Sequence, residues 1–238
     1  TAYEISTRDW SSDVCSSDLD FEAGQVLLFD KPYGWTSFDL VRKVRGLIRI
    51  KKIGHAGTLD PLATGMMILC TGKFTKRISE FMGQEKEYIA EMTLGAITPT
   101  YDLESEPQDF KSWQQIRSED LESVMQSFRG PVFQIPPAHS AIKVNGKRVY
   151  ELARAGEEVK LEPRPVTIYT LEQVAWEENR ITLRVVCSTG TYIRSLVHDI
   201  GQALGCGAYL SGLIRTRIGE QKLSQAMDIE SFEKAIKG

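Results

Sequence analysis

The sequence predicts an α+β fold in which a mixed, largely antiparallel sheet is flanked by helices. Two observations lead there. Apolar runs of strand length are joined in places by short turn signals, such as Glu178-Asn179 between two neighbouring runs. The order of strands and helices also lacks the regular strand–helix–strand alternation of a parallel sheet wound from both sides. At 238 residues, 42% apolar and 26% charged, the chain suits one large domain or two fused lobes and buries a sizeable core without staples.

The elements follow in order. Gln25 to Asp30 is a short apolar run ended by Lys31-Pro32, which reads as a strand. Ser37 is placed to cap a helix running to about Ile50, with Phe38, Val41, Val44 and Ile48 as its apolar face. Arg42, Arg45 and Arg49 form an adjoining stripe, and Lys51-Lys52 leads into a glycine-bearing loop from Gly54 to Gly65. A strand at Met66–Cys70 and a helix near Thr75–Met82 come next. Glu87–Leu94 alternates, with Tyr88, Ala90, Met92 and Leu94 on one face, as a half-buried strand does. After a polar loop over 96–112, Ser118 opens a helix to Phe128 that Gly130-Pro131 stops. Asn145-Gly146 reads as a turn, followed by a short helix to Gly156. Strands are predicted over Val166–Trp176 and Arg180–Cys187. A helix follows to about Leu204 with Ile193, Leu196, Val197 and Ile200 as its core stripe, then a strand over Tyr209–Ile218 and a terminal helix from about Ile229.

Composition excludes several classes. The four cysteines, Cys15, Cys70, Cys187 and Cys206, form no Cys-x-x-Cys pair, which argues against a zinc site and against a secreted disulfide framework. The three histidines, His55, His139 and His198, lack metal-ligand spacing. No apolar run approaches the length of a membrane span and no signal peptide is visible, so a cytoplasmic protein is expected. The net charge of −3 does not advertise a polyanionic partner, but its distribution does. Residues 1–23 carry −5, leaving +2 on the rest, and six bases with no acid fall between Leu40 and Leu59. Residues 1–20 lack an initiator Met, are rich in Ser and Asp without periodicity, and are expected to be a non-native or poorly ordered leader before a single domain over 21–238.

Three segments carry the chemistry: DKPYGWTS at 30–37, GHAGTLDPLATG at 54–65 and CSTGTYIRSL at 187–196. None is a phosphate-binding or dinucleotide loop. Asp60 followed by Pro61 has the form of a helix N-cap. It also sits among Leu59, Leu62 and Ala63, where a carboxylate needs a partner. Arg194, in the first turn of its helix, is the candidate partner, because a cation there opposes the helix dipole unless an anion is near. Glycines at 54, 57 and 65 would let a polynucleotide backbone approach closely. Tyr88, on the core face of its strand, reads as packing with a hydroxyl that wants a partner, while His55 is equally consistent with contact to RNA or with no role.

Taken together and in that order, these segments resemble the TruB family of tRNA pseudouridine synthases over roughly Gly24 to Gly219. The resemblance implies the pseudouridine synthase fold with an RNA-binding cleft, and an enzyme that needs no metal and no organic cofactor. By the resemblance, Asp60 is the essential aspartate, Arg194 its partner, and Tyr88 the tyrosine over the target base. His55 and Gly57 belong to the segment that holds the T-loop of tRNA with its uridine flipped out. Lys31 and Pro32 match the motif that supports the tyrosine, and Asp102 and Tyr192 match positions near the bound base. The implied partner is tRNA, with no membrane, no obligatory protein partner and a monomeric state. The chain ends soon after the final strand, which predicts no C-terminal PUA domain. Two other classes remain to be weighed: a catalytically silent tRNA-binding chaperone, which the presence of Asp60 opposes, and a nucleoside hydrolase, for which no second carboxylate is evident.

Overall fold

The computed structural model describes residues 20–138, 143–144, 147–148 and 161–237. The leader up to residue 19, His139, the Asn145-Gly146 turn and the helix expected to end at Gly156 lie outside the described residues. In chain order the elements are β1 (Val26–Lys31), α1 (Ser37–Ile48), β2 (Ile53–His55), β3 (Thr64–Thr71), α2 (Ile78–Met82) and β4 (Lys86–Leu94). There follow α3 (Ser118–Phe128), β5 (Gly130–Gln134), β6 (Lys143–Val144), β7 (Lys147–Arg148), β8 (Arg164–Glu177) and β9 (Arg180–Cys187). The last are α4 (Ile193–Ala203), β10 (Ala208–Ile218), β11 (Gln221–Lys222) and α5 (Ile229–Lys237). The chain forms two compact units, Thr1–Tyr88 with Ile214–Gly238, and Ile89–Leu213. The boundaries fall within β4 and β10.

In the first unit the strand order is β1-β3-β10, with the start of β4 beside β10, β2 on β3 and β11 on β10. The β3–β10 pair is parallel, while β1–β3, β2–β3 and β10–β11 are antiparallel. β3 is buried along nearly its whole length, so it reads as a continuous apolar run without alternation. On one face Met66, Ile68 and Cys70 pack with Ala56, Phe81 and Ile218. Alternate residues of β1 supply the other face, where Phe29 meets Phe232 of α5 edge to face at 5.0 Å. Lys43 of α1 pairs with Glu233 of α5 at 2.6 Å.

In the second unit β10 is followed by β4, β9, β8 and β5. The β8–β9 and β5–β8 pairs are antiparallel, with register shifts near Thr170 and Ala175. Ile181, Leu183, Val185 and Cys187 are all buried, as their alternation predicts, and so are Ile193, Leu196, Val197 and Ile200 of α4. β6 and β7 pair antiparallel on either side of Asn145-Gly146.

Several expectations are corrected. The N-cap of α1 is Thr36, whose hydroxyl accepts from the Asp39 amide while the Asp39 carboxylate accepts from the Thr36 amide. Ser37 is one residue too late and is buried for another purpose. Phe38 is exposed, and Leu40 takes its place in the core, because the apolar stripe is set by Leu40, Val41 and Val44. No helix starts at Pro61: residues 61–62 form a turn closed by the Ala63 amide donating to the Asp60 carbonyl at 3.1 Å. The helix expected from Thr75 begins as a 3-10 turn over Gly72–Arg77 and becomes α only at Ile78. Gly130-Pro131 does end α3, yet it also opens β5, where Pro131 lacks the amide that an interior strand would require.

Candidate active site

The first unit holds six of the nine sequence-predicted site residues: Lys31, Pro32, His55, Gly57, Asp60 and Tyr88. The loop between β2 and β3 carries Gly57 and Asp60. Such a loop leaves its backbone groups without ladder partners, and each buried one must find a donor or acceptor. From residue 57 to residue 61 every carbonyl finds a donor. Gly57 and Thr58 accept from the Arg215 guanidinium at 3.4 and 3.3 Å. Leu59 accepts from the Ser37 hydroxyl at 3.0 Å, and its amide donates back to the same oxygen at 2.8 Å. Asp60 accepts from Ala63, and Pro61 accepts from the Gly34 amide at 2.8 Å. The half-buried Asp60 therefore projects from a fixed backbone.

Lys31 ends β1 and is fully buried. Its ammonium donates to the carbonyls of Pro32, Trp35 and Pro61 at 3.0, 2.6 and 3.3 Å. Burial lowers its pKa to about 8, against the opposing pull of the Asp60 carboxylate. Through the Pro61 carbonyl, Lys31 braces the end of the Asp60 loop. His55 ends β2, and burial pulls its pKa below the ordinary value against a bond to the Gly57 backbone. Gly57 adopts a φ of 94°, open to glycine and strained for other residues. Tyr88 is buried on the core face of β4, as its alternation predicts.

The second unit holds Asp102, Tyr192 and Arg194. Arg194 lies in the first turn of α4, and its Nε stands 3.6 Å from the Asp102 carboxylate, both side chains being about 95% buried. The same guanidinium donates to the Thr100 carbonyl at 3.2 Å. A buried cation of this kind needs a charge partner and further hydrogen bonds, and the 100–102 segment supplies both. Tyr192 is the N-cap residue of α4. Its amide donates to, and its carbonyl accepts from, the side-chain amide of Gln134 at 2.8 and 3.0 Å. Beside Asp102, Tyr101 has a φ of 65° and stacks on His198 with ring centroids 3.8 Å apart.

Sequence reasoning missed Ser37, Gln134 and Arg215. Ser37 lies inside DKPYGWTS and was taken for a cap. Nothing local marks Arg215 or Gln134, whose partners lie 149 and 58 residues away. Among the described residues no group of three or more His, Cys, Asp or Glu is arranged to hold a metal ion. Among them, too, no helix is long and apolar enough to cross a membrane.

The chain was compared with known proteins. Residues 45–193 match the model of the TruB family pseudouridylate synthase N-terminal domain, and residues 194–237 match that of the tRNA pseudouridylate synthase B C-terminal domain. The tRNA pseudouridine synthase B of Parabacteroides distasonis is 54% identical over 221 residues, covering 90% of this chain and 94% of that protein. Its counterpart from Phocaeicola vulgatus is 52% identical with the same coverage. Among solved structures, an H/ACA RNP bound to a substrate RNA containing 2'-deoxyuridine contains a chain that superposes with a TM-score of 0.68 at 26% identity. That match covers 95% of this chain but only 60% of the other. With a fixed aspartate loop, the α+β fold and these matches in hand, the chain belongs to the TruB family of pseudouridylate synthases.

Proposed function

We infer that this protein isomerises the T-loop uridine of tRNA, position 55, to pseudouridine, with Asp60 as the catalytic carboxylate. The observation that carries the assignment to Asp60 is the loop itself: five consecutive carbonyls are anchored so that one carboxylate is presented on a rigid base. A stacked uridine offers no access to its glycosidic bond, so the nucleotide is first turned out of the loop. The N1–C1′ bond breaks with Asp60 assisting, the uracil is retained and turned, and a C5–C1′ bond forms. The proton on C5 then leaves to solvent, with Tyr88 the group proposed to assist, and N1 takes up a proton in exchange. Atoms balance without cofactor or co-reactant. Arg194 is assigned with Asp60 and Tyr88 to the catalytic set. His55, Lys31, Pro32, Gly57, Asp102 and Tyr192 are assigned to holding the nucleotide or the loops around it.

Phosphate contacts are proposed for a narrower set than the whole basic stretch. Arg42 is paired with Asp39 and Lys43 with Glu233. Arg49, Lys51 and Lys52 are exposed and remain suited to neutralise the backbone. Selectivity for the T-loop would come mainly from its folded shape. The protein is proposed to act as a monomer.

The test is release of tritium from tRNA labelled at C5 of uridine. Wild type releases label, and Asp60→Asn is expected to lose at least about a thousandfold in rate, the scale of removing a catalytic group. Tight tRNA binding by the wild type without release would instead mark a silent chaperone, and free uracil among the products would mark a hydrolase.

A further inference from the structure

Arg215 lies on β10 and is about 1% exposed, yet its guanidinium makes three hydrogen bonds, all to backbone carbonyls. Nε donates to Met66 at 2.8 Å, and the two terminal nitrogens reach Thr58 at 3.3 Å and Gly57 at 3.4 Å. One side chain therefore ties the loop that leads into Asp60 to the strand that leaves it. A planar guanidinium spreads its donors over three nitrogens, so it spans carbonyls set farther apart than the three protons of one ammonium nitrogen reach. A guanidinium so buried cannot reach an RNA phosphate. Burying a cation is also costly, and apolar side chains of similar volume usually support a fold at least as well. What the cation supplies here is direction for carbonyls that no strand or helix ladder satisfies.

Ser37 does the corresponding work one residue before Asp60. Its hydroxyl, about 4% exposed, both donates to and accepts from the Leu59 backbone. With residues 57–59 held by Arg215 and Ser37, and Pro61 held by Gly34, the Asp60 backbone has little freedom and only side-chain rotation is left.

We propose that Arg215 and Ser37 are positioning residues for Asp60, fixing the 57–59 backbone so that the carboxylate is presented in one orientation. The proposal rests on Asp60 being the catalytic carboxylate. A displacement on the order of 1 Å at a reacting group costs about a hundredfold in rate without weakening substrate binding.

Arg215→Lys and Ser37→Ala are the variants, assayed by tritium release with full kcat and KM determination and with thermal melting alongside. Arg215→Lys is expected to lower kcat about 10- to 100-fold, and Ser37→Ala about tenfold, with KM for tRNA within about twofold of wild type. Wild-type kcat in folded variants overturns the proposal, as does a rise in KM at constant kcat, which would assign the residues to RNA binding. If Arg215→Lys fails to fold, Ser37→Ala decides alone. If both fail to fold, the residues support the domain and not the carboxylate, and the proposal falls. Asp60→Asn in the same assay separates the two kinds of failure. Activity there removes the carboxylate assignment and this proposal with it, whereas a dead Asp60→Asn beside a fully active Arg215→Lys removes the positioning role alone.

Discussion

Lys31 shows how much a single side chain decides at the residue scale. An ammonium with no exposure to water is tolerated because three carbonyls receive its three protons. Burial lowers its pKa from 10.5 to about 8. Between those two values the unfolded chain binds more protons than the folded one, so the burial penalty is relieved as pH rises across that range. Activity should move the other way. Above pH 8 the neutral amine keeps two donors at most and no longer sets a positive charge near Asp60. A fall in kcat with an apparent pKa near 8 is therefore expected for wild type, and Lys31→Arg, which keeps its charge, should shift that limb upward by at least about one unit. Tritium-release rates measured from about pH 6.5 to about pH 9.5 check both expectations. Asp60 and Lys31 were legible as candidates because each stands in a compact motif. The contact of Arg194 with Asp102 was not legible, since the two lie 92 residues apart with no local pattern linking them.

At the scale of elements, the junction of β3 with β10 carries most risk. These strands run parallel, with Arg215 opposite Gly65, and Gly65 has a φ of 106°. A Cβ at Gly65 would stand 2.3 Å from the Arg215 carbonyl oxygen and 2.8 Å from its amide nitrogen. Backbone cannot yield as a side-chain tip does, so the strands would have to part. Gly65→Ala is expected to destabilise the protein by roughly 3 kcal/mol or more, the range of overpacked sites with unfavourable φ. Urea unfolding, read as a lowered midpoint at unchanged slope, tests this. Glycine at this position had been read as making room for RNA; the structure shows that it makes room for β10. Strands and helices with clean periodicity, such as β9 and α4, were legible to within a residue or two. Short pairings such as β2 and β11 were not, because three or two residues carry no period.

At the scale of the whole molecule, stability should depend on pH through Asp199 of α4. Burial alone raises its pKa from 3.8 to about 6. Below about pH 4 the acid is neutral in both states and costs nothing. Above pH 6 it is ionised in both, and the folded state bears the full desolvation penalty, so this contribution falls as pH rises between the two values. After discounting for partial solvent access, the penalty is on the order of 1–2 kcal/mol. Asp199→Asn is expected to raise the melting temperature by a few degrees at about pH 7.5 and to lose that advantage below about pH 4. Equal melting shifts at both pH values would refute this assignment.

The sequence by itself determined the class of fold, the core stripes of the regular elements and the family, since these rest on periodicity and on contiguous motifs, which are local along the chain. Tertiary structure alone decided how Asp60 is held. Arg215, Ser37, Lys31 and Gly34 reach its loop from other elements, and unsatisfied carbonyls leave no trace in the order of residues until folding brings their donors within about 3 Å.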